Sequence, residues 1–149
     1  MKTVCILILL IFATGCFAPV FDVSRDEVAR VTSPSGRIDA VLAETNGGAT
    51  TSFGYKILLV PTGGKFSDGV EVASLYGATR NESAYGANLK WDGAQKLIVE
   101  YFKAKSEPSI KDTATVAEEQ VQVSLRSGVK DPTAPAGGML YNLEQRKGN

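Results

Sequence analysis

Short apolar runs, interrupted by turn signals roughly every 8 to 15 residues, constrain this chain more than any other feature it has. No segment sustains a helical repeat, whereas several alternate apolar and polar side chains with the period of a strand. Around Val121, Val123 and Leu125, the residues Gln120, Gln122, Ser124 and Arg126 interleave, which predicts a strand with one wet face. Residues 37–44 follow the turn Ser33-Pro34-Ser35-Gly36, in which Pro presets φ and Gly tolerates positive φ. Residues 55–60 are rich in β formers and stop at Pro61, which cannot donate to a ladder. Further strands are expected over 70–76, 89–91 and 97–102, with the turn Asp92-Gly93 between the last two, and residues 139–143 are expected to close the sheet. The segment 28–32 reads as a first strand; its rival is one helical turn over 26–30, capped by Ser24 with Glu27 three residues on. The favoured reading is an all-β fold: a single small antiparallel sandwich or barrel-like domain of about seven or eight strands over residues 26–149.

The start of the chain, MKTVCILILLIFATGC, reads differently. Lys2 supplies a positive start, residues 4–12 are uncharged and apolar, and Ala13, Thr14 and Gly15 are small, the pattern of an export signal over residues 1–15. The apolar run falls well short of the about 20 residues that a spanning helix needs. Ala13-Thr14-Gly15-Cys16 resembles the lipobox of bacterial lipoproteins, with Ala13 where that family prefers Leu. The resemblance implies cleavage before Cys16 and a diacylglycerol on its thiol, followed by a tether over residues 16–25. An ordinary secreted protein cut after Ala18 is the alternative. The other cysteine, Cys5, lies within the signal, so the mature chain cannot form an internal disulfide. Phe17 resembles the residue found there in lipoproteins sorted to the outer membrane, which implies a periplasm-facing outer-membrane anchor in a two-membrane source.

Composition narrows the chemistry. The chain balances 16 basic against 16 acidic residues, which argues against nucleic acid as a partner and against electrostatic membrane binding beyond the lipid. It has no histidine, and so lacks the commonest general base and metal ligand. No nucleophile-elbow, phosphate-loop or zincin motif occurs. Asp39, Glu44, Glu82, Asp92 and Glu100 carry no spacing that pairs them, and are read mostly as solvated strand-face or turn charges. The expectation is a non-enzyme with neither cofactor nor metal.

Two loops remain as candidate partner surfaces. Asn46, Gly47, Gly48, Thr50 and Thr51 form an unusually polar connection between two strands, whose exposed amides and hydroxyls could bind an anion, a sugar or a partner strand. The competing reading is a wide hairpin loop in which those groups satisfy local backbone. Arg80 and Asn81 lie in a segment, 76–86, that also carries Tyr76 and Tyr85; Tyr and Arg are common interface anchors, but the same residues suit an ordered surface loop. Residues 131–138 read as an extended linker laid over the surface. Ser33-Pro34-Ser35-Gly36 followed by Asn46-Gly47-Gly48-Ala49-Thr50-Thr51 resembles a group of small bacterial lipoproteins and exported proteins of unknown function, across residues 31–60 and more loosely 75–101. That resemblance implies an exported β-rich domain and transfers no activity. The expectation is a lipid-anchored envelope protein whose β domain binds a protein or glycan partner. A small-molecule or ion carrier is the alternative, and a carboxylate-based cell-wall hydrolase a more distant one.

Overall fold

The computed structural model describes residues 23–135. Cys16, the signal segment, most of the tether and the strand expected over 139–143 lie outside the described residues. Nine strands are present among the described residues: β1 (Ser24–Thr32), β2 (Ile38–Asn46), β3 (Gly54–Pro61), β4 (Val70–Tyr76), β5 (Asn88–Trp91), β6 (Lys96–Glu100), β7 (Ser109–Ile110), β8 (Thr113–Val116) and β9 (Glu119–Arg126). They form two sheets, ordered β1-β2-β3-β4-β7 and β5-β6-β9-β8, a sandwich rather than a closed barrel. β5 lies near β1, and β8 near β3 and β4. Ile38, Leu42, Tyr55, Ile57, Leu59 and Leu75 from the first sheet meet Leu97, Val99, Val121 and Val123 from the second, burying the apolar face of each strand between them.

The first four strands form a meander with antiparallel neighbours throughout. The second sheet departs from the expected all-antiparallel pairing, because β6 and β9 run parallel, Lys96 opposite Gln122 through Glu100 opposite Arg126. Parallel neighbours need a long crossover. Residues 101–118 supply it without a helix, visiting the edge of the first sheet as β7 and returning as β8.

β1 begins at Ser24, so Ser24 and Arg25 belong to the sheet rather than to the tether, and the rival helical turn over 26–30 does not form. The ladder slips between Glu27 and Ala29, leaving Val28 as the extra residue of a β-bulge. The bulge re-phases the strand. Glu27 and Arg30, three apart, would otherwise point to opposite faces; here both lie on the outer face, across from Ala43 and Val41. That outer face is covered in its centre. The backbone at Gly69 presses so closely on β3 that a Cβ there would sit 2.8 Å from Val60 Cγ1. Val60 is buried beneath it, and Val41 and Ala43 are buried as well, although all three face away from the second sheet. β2 is thus buried on both sides over Ile38–Glu44, whereas the outer face of β3 is fully covered only at Val60.

Candidate functional site

Three of the five carboxylates read as solvated are in fact buried. Asp39 is 2 %, Glu44 2 % and Glu100 4 % exposed, while Glu82 and Asp92 remain at the surface. Each buried one has partners that justify its place. Arg30 forms a two-pronged pair with Glu27 (Nε to Oε1 and Nη2 to Oε2, both 2.7 Å) and donates from Nη1 to Asp39 Oδ2 at 2.9 Å. Asp39 also accepts from Thr32 Oγ1 at 2.7 Å and from the Gly63 amide at 2.9 Å. Burial pushes the Asp39 carboxyl up, but these donors more than offset it and hold it below the usual carboxylate range. Tyr55 donates its hydroxyl to Glu44 at 2.9 Å inside the sandwich. Arg126 donates to Glu100 at 2.8 Å, and Lys90 Nζ sits 2.7 Å from the other oxygen at an angle that makes it an ion pair rather than a hydrogen bond. Each of these carboxylates is matched by a cation or donor from the fold itself, although Glu100 Oε2 accepts no hydrogen bond, so they serve the fold.

The polar loops gather at one end of the sandwich. Four stretches meet there: 47–53, 77–87, 101–108 and 127–135. Backbone bonds fasten them together, from Gly77 to Phe53, Phe102 to Thr79, Thr79 to Lys103, Lys105 to Tyr76, and Gly128 to Phe102.

The predicted residues divide between two fates. In the first loop, Asn46 Oδ1 accepts from the Gly48 amide at 2.9 Å, and the Thr51 amide and hydroxyl both donate to the Gly48 carbonyl at 3.1 Å. Gly47 sits where a Cβ would lie 3.0 Å from Thr51 Oγ1, and Gly48 takes a φ of 99°. Thr50 is exposed at the tip. This loop therefore spends most of its polar groups on its own backbone. In the second, Asn81 Oδ1 accepts from the amides of Ser83 and Ala84, each at 2.9 Å, closing a local turn. Arg80 reaches behind it and donates to the Ala134 carbonyl at 2.7 Å, while its own carbonyl accepts from the Asp131 amide, so it clamps the 131–135 segment.

Asn81 lines a surface groove of about 430 Å³ between 77–85 and 102–105, and Arg80 does not. The groove's other working groups were not singled out from sequence: Tyr85, Phe102, Lys103 and Lys105, with Ser52 at its edge. Ser52 is buried, and its Oγ accepts from Lys105 Nζ at 2.5 Å and from the Tyr85 hydroxyl at 3.3 Å. Its amide donates to the Tyr76 hydroxyl at 3.0 Å. Phe53 packs edge-to-face on Tyr85, with centroids 5.3 Å apart. A hydrogen bond from Ser52 to the ionised phenol oxygen, with the Lys105 charge nearby, lowers the Tyr85 phenol below its ordinary range. Lys103 and Lys130 lie over the Phe102 ring at 5.0 and 5.1 Å, and Lys130 also pairs with Glu82. A serine beside a lysine can serve as a nucleophile, but here the Ser52 amide is already bonded to Tyr76 and its oxygen is the acceptor of two donors.

Among the described residues no group of three His, Cys, Asp or Glu side chains converges on a metal position, and no helix is long and apolar enough to cross a membrane. Comparison of the chain with protein-family models, with curated proteins and with solved structures returns no match.

Proposed function

We propose that this chain is a lipid-anchored cell-envelope protein, held through Cys16, whose β-sandwich binds a protein or glycan partner without catalysing a reaction. The observation that carries the binding half is the groove at the loop end, where four connections hold Tyr85, Asn81, Lys103 and Lys105 on a braced floor. Sites of this kind, on loops positioned by a rigid scaffold, are where binding residues concentrate. The large apolar side chains that fill the inward faces support binding at this surface rather than carriage inside the fold. The anchoring half rests on the lipobox resemblance and on Cys16 being the cysteine that cleavage would retain. Two or more acyl chains would make that attachment stable.

Three measurements test the reading. Mass spectrometry of the mature amino terminus should find a diacylated Cys16, and Cys16→Ala should move the protein from the membrane fraction to the soluble one. A photo-crosslinking residue at Ser83, beside the groove, should trap envelope material, whereas one at Gly93, in the turn at the opposite end of β5, should not. An unmodified terminus elsewhere refutes the anchor, and equal trapping at both positions refutes the loop-end site.

A further inference from the structure

The bonding around Ser52 is electrically lopsided. An ammonium and a phenol both donate to one neutral oxygen, so the Lys105 charge is fixed in place but not neutralised. Neither Lys105 nor Lys103 has a carboxylate within ion-pair distance among the described residues, a state they share with Lys65 and Lys111, while Glu82 lines the same groove, paired with Lys130 and near enough to Lys103 to feel its charge. Lys105 is solvent-exposed, yet its chain is held. Its backbone amide is bonded to Tyr76, and its stem lies against Gly77, where φ is +65° and a Cβ would approach Lys105 Cγ to 2.6 Å. The glycine at 77 thus makes the space in which the lysine is held. With both acceptor sites of Ser52 Oγ used, its own hydroxyl hydrogen remains a further donor. The groove also offers the Thr79 hydroxyl and, as an acceptor, the Ser83 oxygen, whose hydrogen is directed to Asn81 Oδ1.

We infer that this groove is a binding site for an anionic saccharide, its carboxylate or phosphate received by Lys105 and Lys103 and its hydroxyls by the uncharged polar lining. This names the partner class within the reading given above and rests on it. Size favours a saccharide over a folded protein. A groove of about 430 Å³ has the dimensions of a small-ligand site, whereas a stable protein partner covers roughly 800 Å² on each side. Preorganisation favours an anion, because the cation's position is set before the ligand arrives.

The test is titration calorimetry of the full chain with four probes: tetragalacturonate for the carboxylate arm, glucose 6-phosphate for the phosphate arm, neutral maltotetraose, and poly-glutamate as the protein-like competitor. Binding of either acidic sugar supports the inference, and the arm that binds identifies the anion. Affinity should fall as salt rises from about 0.05 to about 0.5 M. Lys105→Met, which keeps the stem that packs on Gly77, should weaken it about tenfold, a usual loss for one hydrogen bond to a charged group. Lys105→Arg should recover part of the loss, and Lys96→Met, outside the groove, should change nothing. Maltotetraose binding as tightly as tetragalacturonate overturns the inference, as does a preference for poly-glutamate or no binding by a folded chain. The last two outcomes leave the anchored partner-binding reading standing, since that depends on crosslinking at Ser83 and the chemistry at Cys16.

Discussion

Replacing Arg30 by Met should be among the most damaging single changes to this domain at neutral pH and one of the mildest in acid. The Met side chain retains the apolar stem but leaves Glu27 and Asp39, 4 % and 2 % exposed, without the cation between them. Removing one partner of a buried ionic cluster costs about 3–5 kcal/mol, because the charges left behind stay desolvated. At about 4 °C per kcal/mol for a domain of this size, the melting temperature should fall by roughly 12–20 °C. The sign of the pH dependence follows from Asp39. Its carboxyl is lowered in the folded protein, so its stabilising contribution is present above the ordinary carboxylate range and is lost as pH falls through the lowered value. In Arg30→Met one of the donors offsetting its burial is gone, and protonation relieves the penalty. The gap between wild type and variant should therefore be widest near pH 7 and narrow below about pH 4. A triple change, Glu27→Gln with Arg30→Met and Asp39→Asn, should be less damaging at pH 7 than Arg30→Met alone, since no uncompensated charge remains. Thermal unfolding followed by circular dichroism between pH 3 and pH 8 (~1 unit steps) reads all three. A loss under about 1 kcal/mol, or one that does not vary with pH, would refute the claim that this cluster is a buried ionic network rather than a surface pair.

Leu42→Ala, at a position with 0 % exposure between the sheets, should cost about 2–5 kcal/mol in urea unfolding. Trp91→Phe removes the 2.9 Å bond from Nε1 to the Val31 carbonyl, which ties β5 to β1, and should cost about 1–3 kcal/mol with faster amide exchange along β1. Ala117 and Glu118 form the two-residue turn between β8 and β9 with φ of 49° and 65°, values that suit Asn-Gly far better. Ala117→Asn with Glu118→Gly should therefore raise stability by about 1–2 kcal/mol, read as a higher urea midpoint at unchanged slope.

Most of the sandwich was legible because its strands announce themselves locally. Residues 70–76 appear as a strand bounded by Gly69 and Gly77, and the structure forms β4 over Val70–Tyr76. Three things were hidden. β7 and β8 are too short to show a period, and exist because β4 and β9 offer edges for them. The parallel pairing of β6 with β9 is a long-range choice that neither strand encodes alone. The burial of Asp39 and Glu100 depends on Arg30 and Arg126, which reach them across strand pairings invisible in a linear scan. At the candidate site, the hydroxyls and amides of 46–51 and Asn81 stand out in sequence because turn-forming residues do, and the structure uses several of them as turn formers. The lysines of the groove sit in an unremarked Phe-Lys-Ala-Lys stretch, and acquire meaning only when that stretch is laid beside Tyr85 and Ser52.

The crossover that lets β9 lie parallel to β6 also orders the assembly of the molecule in time. β1 to β4 can zip as successive hairpins, each closing a short loop, whereas β9 finds β6 only after residues 101–118 have been led across the edge of the first sheet and back. Closing that longer loop carries its entropic cost before the β6–β9 contacts repay it, so this pairing should form after the hairpins β5–β6 and β8–β9, whose turns are short. During that interval the apolar face of the meander stands open to water. The rate at which β9 docks would then set how long that face stays open to aggregation or proteolysis.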